Sequence, residues 1–522
     1  MTHLPDQCQN PDPQALQRNW GRSARLFSDE AVESDLRRRT VRGGMTTIGA
    51  QAFRFLFVRI GSTMVLARLL SPEQFGIIGM VMAIVAFVSL FRDIGLSMAI
   101  IQQPKITRGQ VSSMFWVTLL VSVLAAFVTA AMAPLLVWFY AREELFWVTI
   151  ALAGAVLLGG PTMMHMALLR RQMEFGLIAT IEIAAMVLGV GAAILTAWLG
   201  WEYWALVLQI VVASVATLAA AWLATGFVPS PGLDLGGIKS MLKFGGNLTG
   251  FNLVNFFARN LDNVLIGWRS GAADLGLYSK AYQLLLLPVT EINLPIAAVA
   301  LPALCRLQHE PERFRSFYQK ALLLATSIGM PVVAFMIAAT EQVILFIMGE
   351  QWLEVIPIFQ ALGIASFLGT FNFATGWVNT ATGRTDRQLH WGIFWAIATV
   401  TGILVGLPFG AVGVALGLSI SALIARPFGL WYCFRGSPIS IQDFFAAIWR
   451  PAIASGIAGA VTWGLAHRVD QWPLVVQLAL LGSVFGLLYA MAWLGFPGGR
   501  RAFIEIRLAL LSRGNLPQRK SS

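Results

Sequence analysis

Arg59 and Arg259 stand near the middle of two apolar stretches, two hundred positions apart. An ionisable side chain at the centre of a membrane-spanning helix costs about 2.5–3.5 kcal/mol on insertion scales, so it faces protein, water or a ligand rather than lipid. Arg54 lies about a turn and a half before Arg59. Asn252, Asn255, Arg259 and Asp262 follow steps of three, four and three, which places them on one helical face as a polar stripe. Lys280 and Gln283 begin a second stripe that runs toward Glu291. The chemistry such groups offer is anion binding. Arginine donates paired hydrogen bonds to phosphate oxygens and stays charged when partly desolvated. A water-filled cavity lined with these cations would attract an anionic substrate. The competing reading is structural: Arg259 and Asp262 pair at i,i+3, and Arg54 and Lys280 snorkel to the headgroups. The central positions of Arg59 and Arg259 favour the cavity for those two, because neither snorkels cheaply. For Arg54 and Lys280 both readings stay open. Arg54 and Arg59 are about 140° apart around a helix, so one of them belongs at the cavity's edge.

Asp262, Glu291 and Glu182 are candidates to carry a coupling proton or sodium ion, although intramembrane acids more often pair with a neighbouring base. His165 reads as a packed, hydrogen-bonded residue. Gly413 and Gly417 form a small-xxx-small pair, a helix-packing signal. The sequence contains no G-x-x-x-x-G-K-[ST] motif, no His/Cys ligand cluster and no Gly-x-Ser-x-Gly elbow. Nothing in it suggests a nucleotide-driven motor, a metal site, a cofactor or catalysis.

The elements that position these residues are membrane helices. Residues 109–141, 203–233, 355–383 and 471–499 contain no Asp, Glu, Lys or Arg at all. Only 12% of the 522 residues are charged and 57% are apolar, too few charges to clothe a soluble protein of this size. A hydrocarbon core of ~30 Å needs about 20 helical residues. By that measure the chain holds about fourteen spans, near 45–70, 75–98, 113–138, 146–169, 175–199, 203–225, 244–267, 275–303, 320–340, 355–381, 389–408, 411–433, 443–465 and 472–496. The thirteenth begins in a short apolar run, Phe444–Trp449, and is the weakest.

An even count puts both ends on one side, and charge says which. With the N-terminus inside, the inside tails and connectors hold 27 of the 37 Lys and Arg, and the outside connectors hold three, Arg142, Arg269 and Arg468. Lys and Arg resist translocation, so both termini are expected in the cytoplasm. The net charge of +11 follows from that bias, and no nucleic-acid binding is read from it. Cys8, Cys305 and Cys433 are scattered and suggest no disulfide framework. Residues 1–42 hold seven Arg and no apolar h-region, so they are expected to be a polar cytoplasmic tail rather than a cleavable signal peptide.

The expected organisation is therefore an Arg-rich tail (1–42), an N-lobe of six spans (43–225), a connector (226–243), a C-lobe of six spans (244–434), two extra spans (435–496) and a basic tail (497–522). Within that tail, residues 500–513 are both basic and apolar and read as an interfacial helix. Residues 59–79 align with 259–279 without a gap: Arg59 matches Arg259, and Phe75-Gly76-Ile77 matches Leu275-Gly276-Leu277. Two lobes of like topology fit this, as in transporters built from parallel repeats.

Several segments resemble a known family. Residues 66–80 (LARLLSPEQFGIIGM), 91–102 (FRDIGLSMAIIQ), 106–116 (ITRGQVSSMFW) and 275–288 (LGLYSKAYQLLLLP) are similar to the polysaccharide exporters and O-unit flippases. Residues 349–364 and 379–389 extend the likeness. The resemblance covers roughly residues 43–440 and is nearest the Wzx-like, colanic-acid-exporter subgroup of the multidrug/oligosaccharidyl-lipid/polysaccharide superfamily. It implies two six-helix lobes across a central cavity, with alternating access. It implies a substrate that is a sugar repeat unit on a polyprenyl pyrophosphate, moved to the outer leaflet of the bacterial inner membrane. A polysaccharide polymerase and chain-length machinery are the expected partners besides the lipid bilayer. A basic residue at the position of Lys280 is common in that family, and cationic residues in the first span lend weight to Arg54 and Arg59. The long Arg-rich tail departs from the pattern. A membrane glycan polymerase or ligase would need a large extracytoplasmic loop, whereas the connectors are short. An exporter of small cationic drugs would need a cavity lined with acids, whereas the central charges are mostly Arg.

Overall fold

Backbone N–H and C=O groups cannot stay unpaired in hydrocarbon, so a chain of this composition folds as helices. A computed structural model describes residues 60–92, 106–231 and 238–500, with the side chains of Arg92, residues 238–255 and 257–259, and Thr385 outside that description. The described residues contain helices and no strand. Eleven stretches among them are long and apolar enough to cross a membrane. The chain divides into two units, Met1–Leu70 with Ile77–Phe257, and Ser71–Gly76 with Ala258–Ser522.

The first unit is built from α1 (Gly61–Leu69), most of α2 (Pro72–Arg92), α3 (Arg108–Ala131), α4 (Ala133–Tyr140), α5 (Glu144–Arg171), α6 (Phe175–Trp198) and α7 (Trp204–Thr225). Thr107 starts α3 with a capping box: its hydroxyl accepts from Gln110 N–H, and the Gln110 side chain accepts from Thr107 N–H. α3 and α7 pack on α5, and α6 packs on α7. Met114, Phe115, Met164, Leu168 and Phe227 form one core cluster. Three buried threonine hydroxyls are satisfied within their own helices: Thr118 donates to Met114 O, Thr129 to Ala125 O and Thr149 to Leu145 O. The chain leaving α7 is strapped onto α3, where Trp116 Nε1–H donates to Ser230 O at 3.0 Å and Ser230 N–H donates to Ser112 Oγ at 3.0 Å. His165 is buried as expected, its Nδ1 2.7 Å from Thr225 Oγ1 and its ring tilted against Trp222.

The second unit holds the C-terminal part of α8 (Ile238–Arg306), then α9 (Pro311–Ala338), α10 (Thr340–Ile347), α11 (Ile356–Gly369), α12 (Asn372–Ala381), α13 (Thr385–Gly406), α14 (Gly410–Phe434), α15 (Ile441–Ala466) and α16 (Leu474–Gly495). α13 and α11 pack on α14, while α15 packs on both α9 and α16. Phe314, Tyr318, Phe371, Trp377, Phe434 and Phe444 belong to one large core cluster. The weakest expected span is a full helix, α15. Ser440 and Asp443 cap its start, and Arg315 Nε and Gln319 Nε2 reach Asp443 from α9 at 3.0 Å each. Cys305 and Cys433 are free thiols.

Eleven described stretches against fourteen expected spans has two sources. The first expected span lies largely outside the described residues. Two helical stretches, Asn260–Arg306 and Asp386–Phe434, each contain a reversal. In α8 the reversal is at Gly271, whose φ of 89° is open to glycine and strained for other residues. Tyr278 Oη lies 2.8 Å from Asp262 Oδ2, whereas sixteen residues of unbroken helix would separate them by about 24 Å. The second reversal is at Leu407–Phe409, between α13 and α14. There Gly402 and Gly406 meet Gly417 and Gly413 so closely that a Cβ on any of the four would collide with backbone opposite. Gly413 and Gly417 are thus the packing surface their spacing indicates.

Candidate functional site

Two of the site residues with described side chains, Asp262 and Lys280, lie on the Gly271 hairpin of the second unit. Asp262 is on its first arm and is buried. Its carboxylate accepts from Tyr278 Oη on the second arm and from Asn263 N–H, both at 2.8 Å. An unpaired buried carboxylate is costly, and these two donors offset part of that cost. Tyr278 in turn stacks on Tyr282, ring centres 6.2 Å apart. Tyr278 is absent from the residues singled out by sequence. Its place opposite Asp262, seven residues after Gly271 against nine before, becomes visible only once the hairpin is recognised.

Lys280 points elsewhere. Its ammonium lies 4.1 Å from the centre of the Phe75 ring and donates to Gln283 Oε1 at 3.1 Å. Phe75 is itself held edge-on by fully buried Trp352, ring centres 5.5 Å apart. A cation over an aromatic face is stabilised by roughly 0.5–2 kcal/mol. One amide contact leaves two N–H donors on the ammonium for an acceptor such as a phosphate oxygen. Lys280 and Gln283 do share the face that their spacing indicates.

The two segments of the offset-200 alignment meet reciprocally beside these groups. A Cβ on Gly76 would collide with the carbonyl of Ala272, and a Cβ on Gly276 with the carbonyl of Pro72. Residues 72 and 272, like 76 and 276, are alignment partners, so the contact has two-fold character. Both contacts lie in the second unit, to which Ser71–Gly76 belongs.

Asn252, Asn255 and Arg259 lie on α8, with side chains outside the described residues. Arg54 and Arg59 lie outside the described residues altogether, as does nearly all of the expected interfacial helix at 500–513. Glu182 is half-buried on α6 in the first unit, and Glu291 is half-buried on α8 in the second. The structure therefore joins Asp262 to Tyr278, and Lys280 to Phe75 and Gln283.

Asp262→Ala should lower stability in detergent by about 1–3 kcal/mol, because it strands the buried Tyr278 hydroxyl. Adding Tyr278→Phe should recover most of that loss. Thermal unfolding of the two single variants and the double variant measures the coupling. Simple additivity would show that the pair is not a working contact.

An all-helical architecture with this many spans defines a polytopic membrane protein. Its fold is similar to that of the structure titled "Lipid II flippase MurJ, inward closed conformation", which superposes with a TM-score of 0.68 at 13% identity, covering 87% of this chain and 99% of that one. Residues 65–357 match the family described as "Polysaccharide biosynthesis protein", and the chain belongs to that family. Its relatives include the lipopolysaccharide biosynthesis protein WzxC of Escherichia coli (strain K12), 24% identical over 399 residues, 74% of this chain and 80% of the relative. The succinoglycan biosynthesis transport protein ExoT of Rhizobium meliloti (strain 1021) is 26% identical over 435 residues, 81% of this chain and 86% of the relative.

Proposed function

We propose that this protein carries a polyprenyl-pyrophosphate-linked oligosaccharide repeat unit from the cytoplasmic to the outer leaflet of the bacterial inner membrane, by alternating access, for extracellular polysaccharide or O-antigen synthesis. The observation that carries the proposal is membership of a polysaccharide-biosynthesis family on a flippase fold. The named relatives act in polysaccharide biosynthesis, and one of them in its transport. The physical fit is with an anionic headgroup. Lys280 presents a fixed ammonium with free donors, and Arg54, Arg59, Asn255 and Arg259 are the further substrate contacts. Asp262, Glu291 and Glu182 are the acids available for ion coupling. Both termini are cytoplasmic, and a polymerase with its chain-length partner receives the unit outside.

Depletion of the protein in its own cells tests this. Lipid-linked repeat units should accumulate, and in spheroplasts they should stay closed to an impermeant glycosidase. Units that become accessible at the undepleted rate would refute the proposal.

A further inference from the structure

Arg426 is an arginine whose position in the fold calls for a ligand. It sits in α14 eight residues before Phe434, so about 12 Å of helix separates it from the helix end. Its guanidinium carbon lies 4.8 Å from the centre of the Trp395 ring on α13. Its Nε is enclosed and has no hydrogen-bond partner among the described residues. No acid is positioned to neutralise it within these two helices: α14 contains no Asp or Glu, and the only acid of α13 is Asp386, nine residues from Trp395.

The seam between α13 and α14 continues from Arg426 toward the arginine-rich end of the hairpin. One turn along, Trp391 fills the notch left by Gly429, where a Cβ would strike its ring. Beyond it, Arg387 lies over the Tyr432 ring at 5.9 Å and donates to the Arg435 carbonyl. Arg384 donates to the carbonyls of Arg435 and Gly436. These two arginines use their N–H groups on the carbonyls that end α14, where cations are favoured by the helix dipole. Arg426 has no such carbonyl among the described residues. The seam therefore holds one deep guanidinium supported on an aromatic ring, with no acid on its own two helices placed to neutralise it.

The two helices that hold it also present exposed apolar surface. Phe394, Ile424 and Phe428 are exposed large hydrophobics on the same two helices. A ligand that meets both features has an anionic head with hydrogen-bond acceptors and a hydrocarbon tail. We propose that Arg426, seated on Trp395, binds one anionic membrane lipid through its phosphate, at a site in the α13–α14 hairpin. Arginine suits phosphate because its planar fork offers paired donors, and stacking on tryptophan leaves the fork's edge free. The site is argued from the second unit alone and holds whatever the transported substrate is.

Native mass spectrometry of the full-length protein, delipidated in mild detergent, tests this. Phosphatidylglycerol should be retained as one tight adduct, and diacylglycerol, with the same tails and no phosphate, should not. Arg426→Gln should weaken retention about tenfold or more, equivalent to the loss of one charged contact. Arg450→Gln, an arginine stacked on Trp449 elsewhere in the unit, should leave it unchanged. If Arg426→Gln gives no folded protein, Trp395→Leu carries the same test, because it removes the platform and keeps the charge. Equal retention of phosphatidylglycerol by wild type and the folded variant overturns the proposal. So does retention of diacylglycerol at the same level, or binding of inorganic phosphate without either lipid.

Discussion

Gly276→Val and Gly76→Val should each leave little folded protein in the membrane. A side chain at Gly276 meets the backbone carbonyl of Pro72, and one at Gly76 meets that of Ala272. Backbone cannot rotate away as a side-chain tip can, so the helix starts must separate. Overpacking a well-packed contact costs about 1–3 kcal/mol even where side chains can adjust, and a backbone collision should exceed the top of that range. Gly456→Ala is the matched control. It lies on α15 with nothing within 4 Å of its would-be Cβ, and alanine favours the helix by about 0.5–1 kcal/mol. Fluorescence-detected size exclusion and thermal unfolding in detergent read both effects. Stability of Gly276→Val equal to that of Gly456→Ala would show that the close approach is not maintained in the folded protein.

Arg59→Ala and Arg259→Ala should each abolish polymer export while leaving the amount of protein in the membrane unchanged. Both arginines sit near mid-span in the sequence, and they are partners at the offset of 200. Removing one member of a desolvated charge pair typically costs about 2–5 kcal/mol, which is a loss of more than tenfold. Lysine should substitute poorly, since it offers a point charge without the fork. Surface polymer and membrane abundance, measured side by side in cells that depend on this export, decide the matter. Normal polymer from both alanine variants would place the headgroup contact elsewhere, with Lys280 over Phe75 the next position to change.

Much of this protein follows from local sequence, because lipid leaves the chain few choices. Apolar runs of sufficient length must become helices, and each span can be read from its own residues without knowing its neighbours. Glycine spacing is legible for a similar reason: Gly413 and Gly417 lie one turn apart on one face, a pattern that favours a close packing partner. The repeat is legible too, since Gly76 and Gly276 occupy equivalent places in the alignment.

Partnership is another matter. Sequence spacing allows Asp262 to pair with Arg259 at i,i+3, but it carries no sign of Tyr278, which donates to Asp262 across the hairpin. Lys280 reads equally well as a snorkelling cation or a cavity wall, and what decides its contact is Phe75, more than two hundred residues earlier. His165 looks like a packed residue from its surroundings, yet its partner Thr225 lies sixty positions away. Arg426 draws no attention as one cation among seven at or within spans, until Trp395 is found beneath it. Hydropathy and helical periodicity are properties of a few consecutive turns. Which face of one helix meets which face of another depends on crossing points and reversals such as Gly271, and those are set by packing across the whole unit.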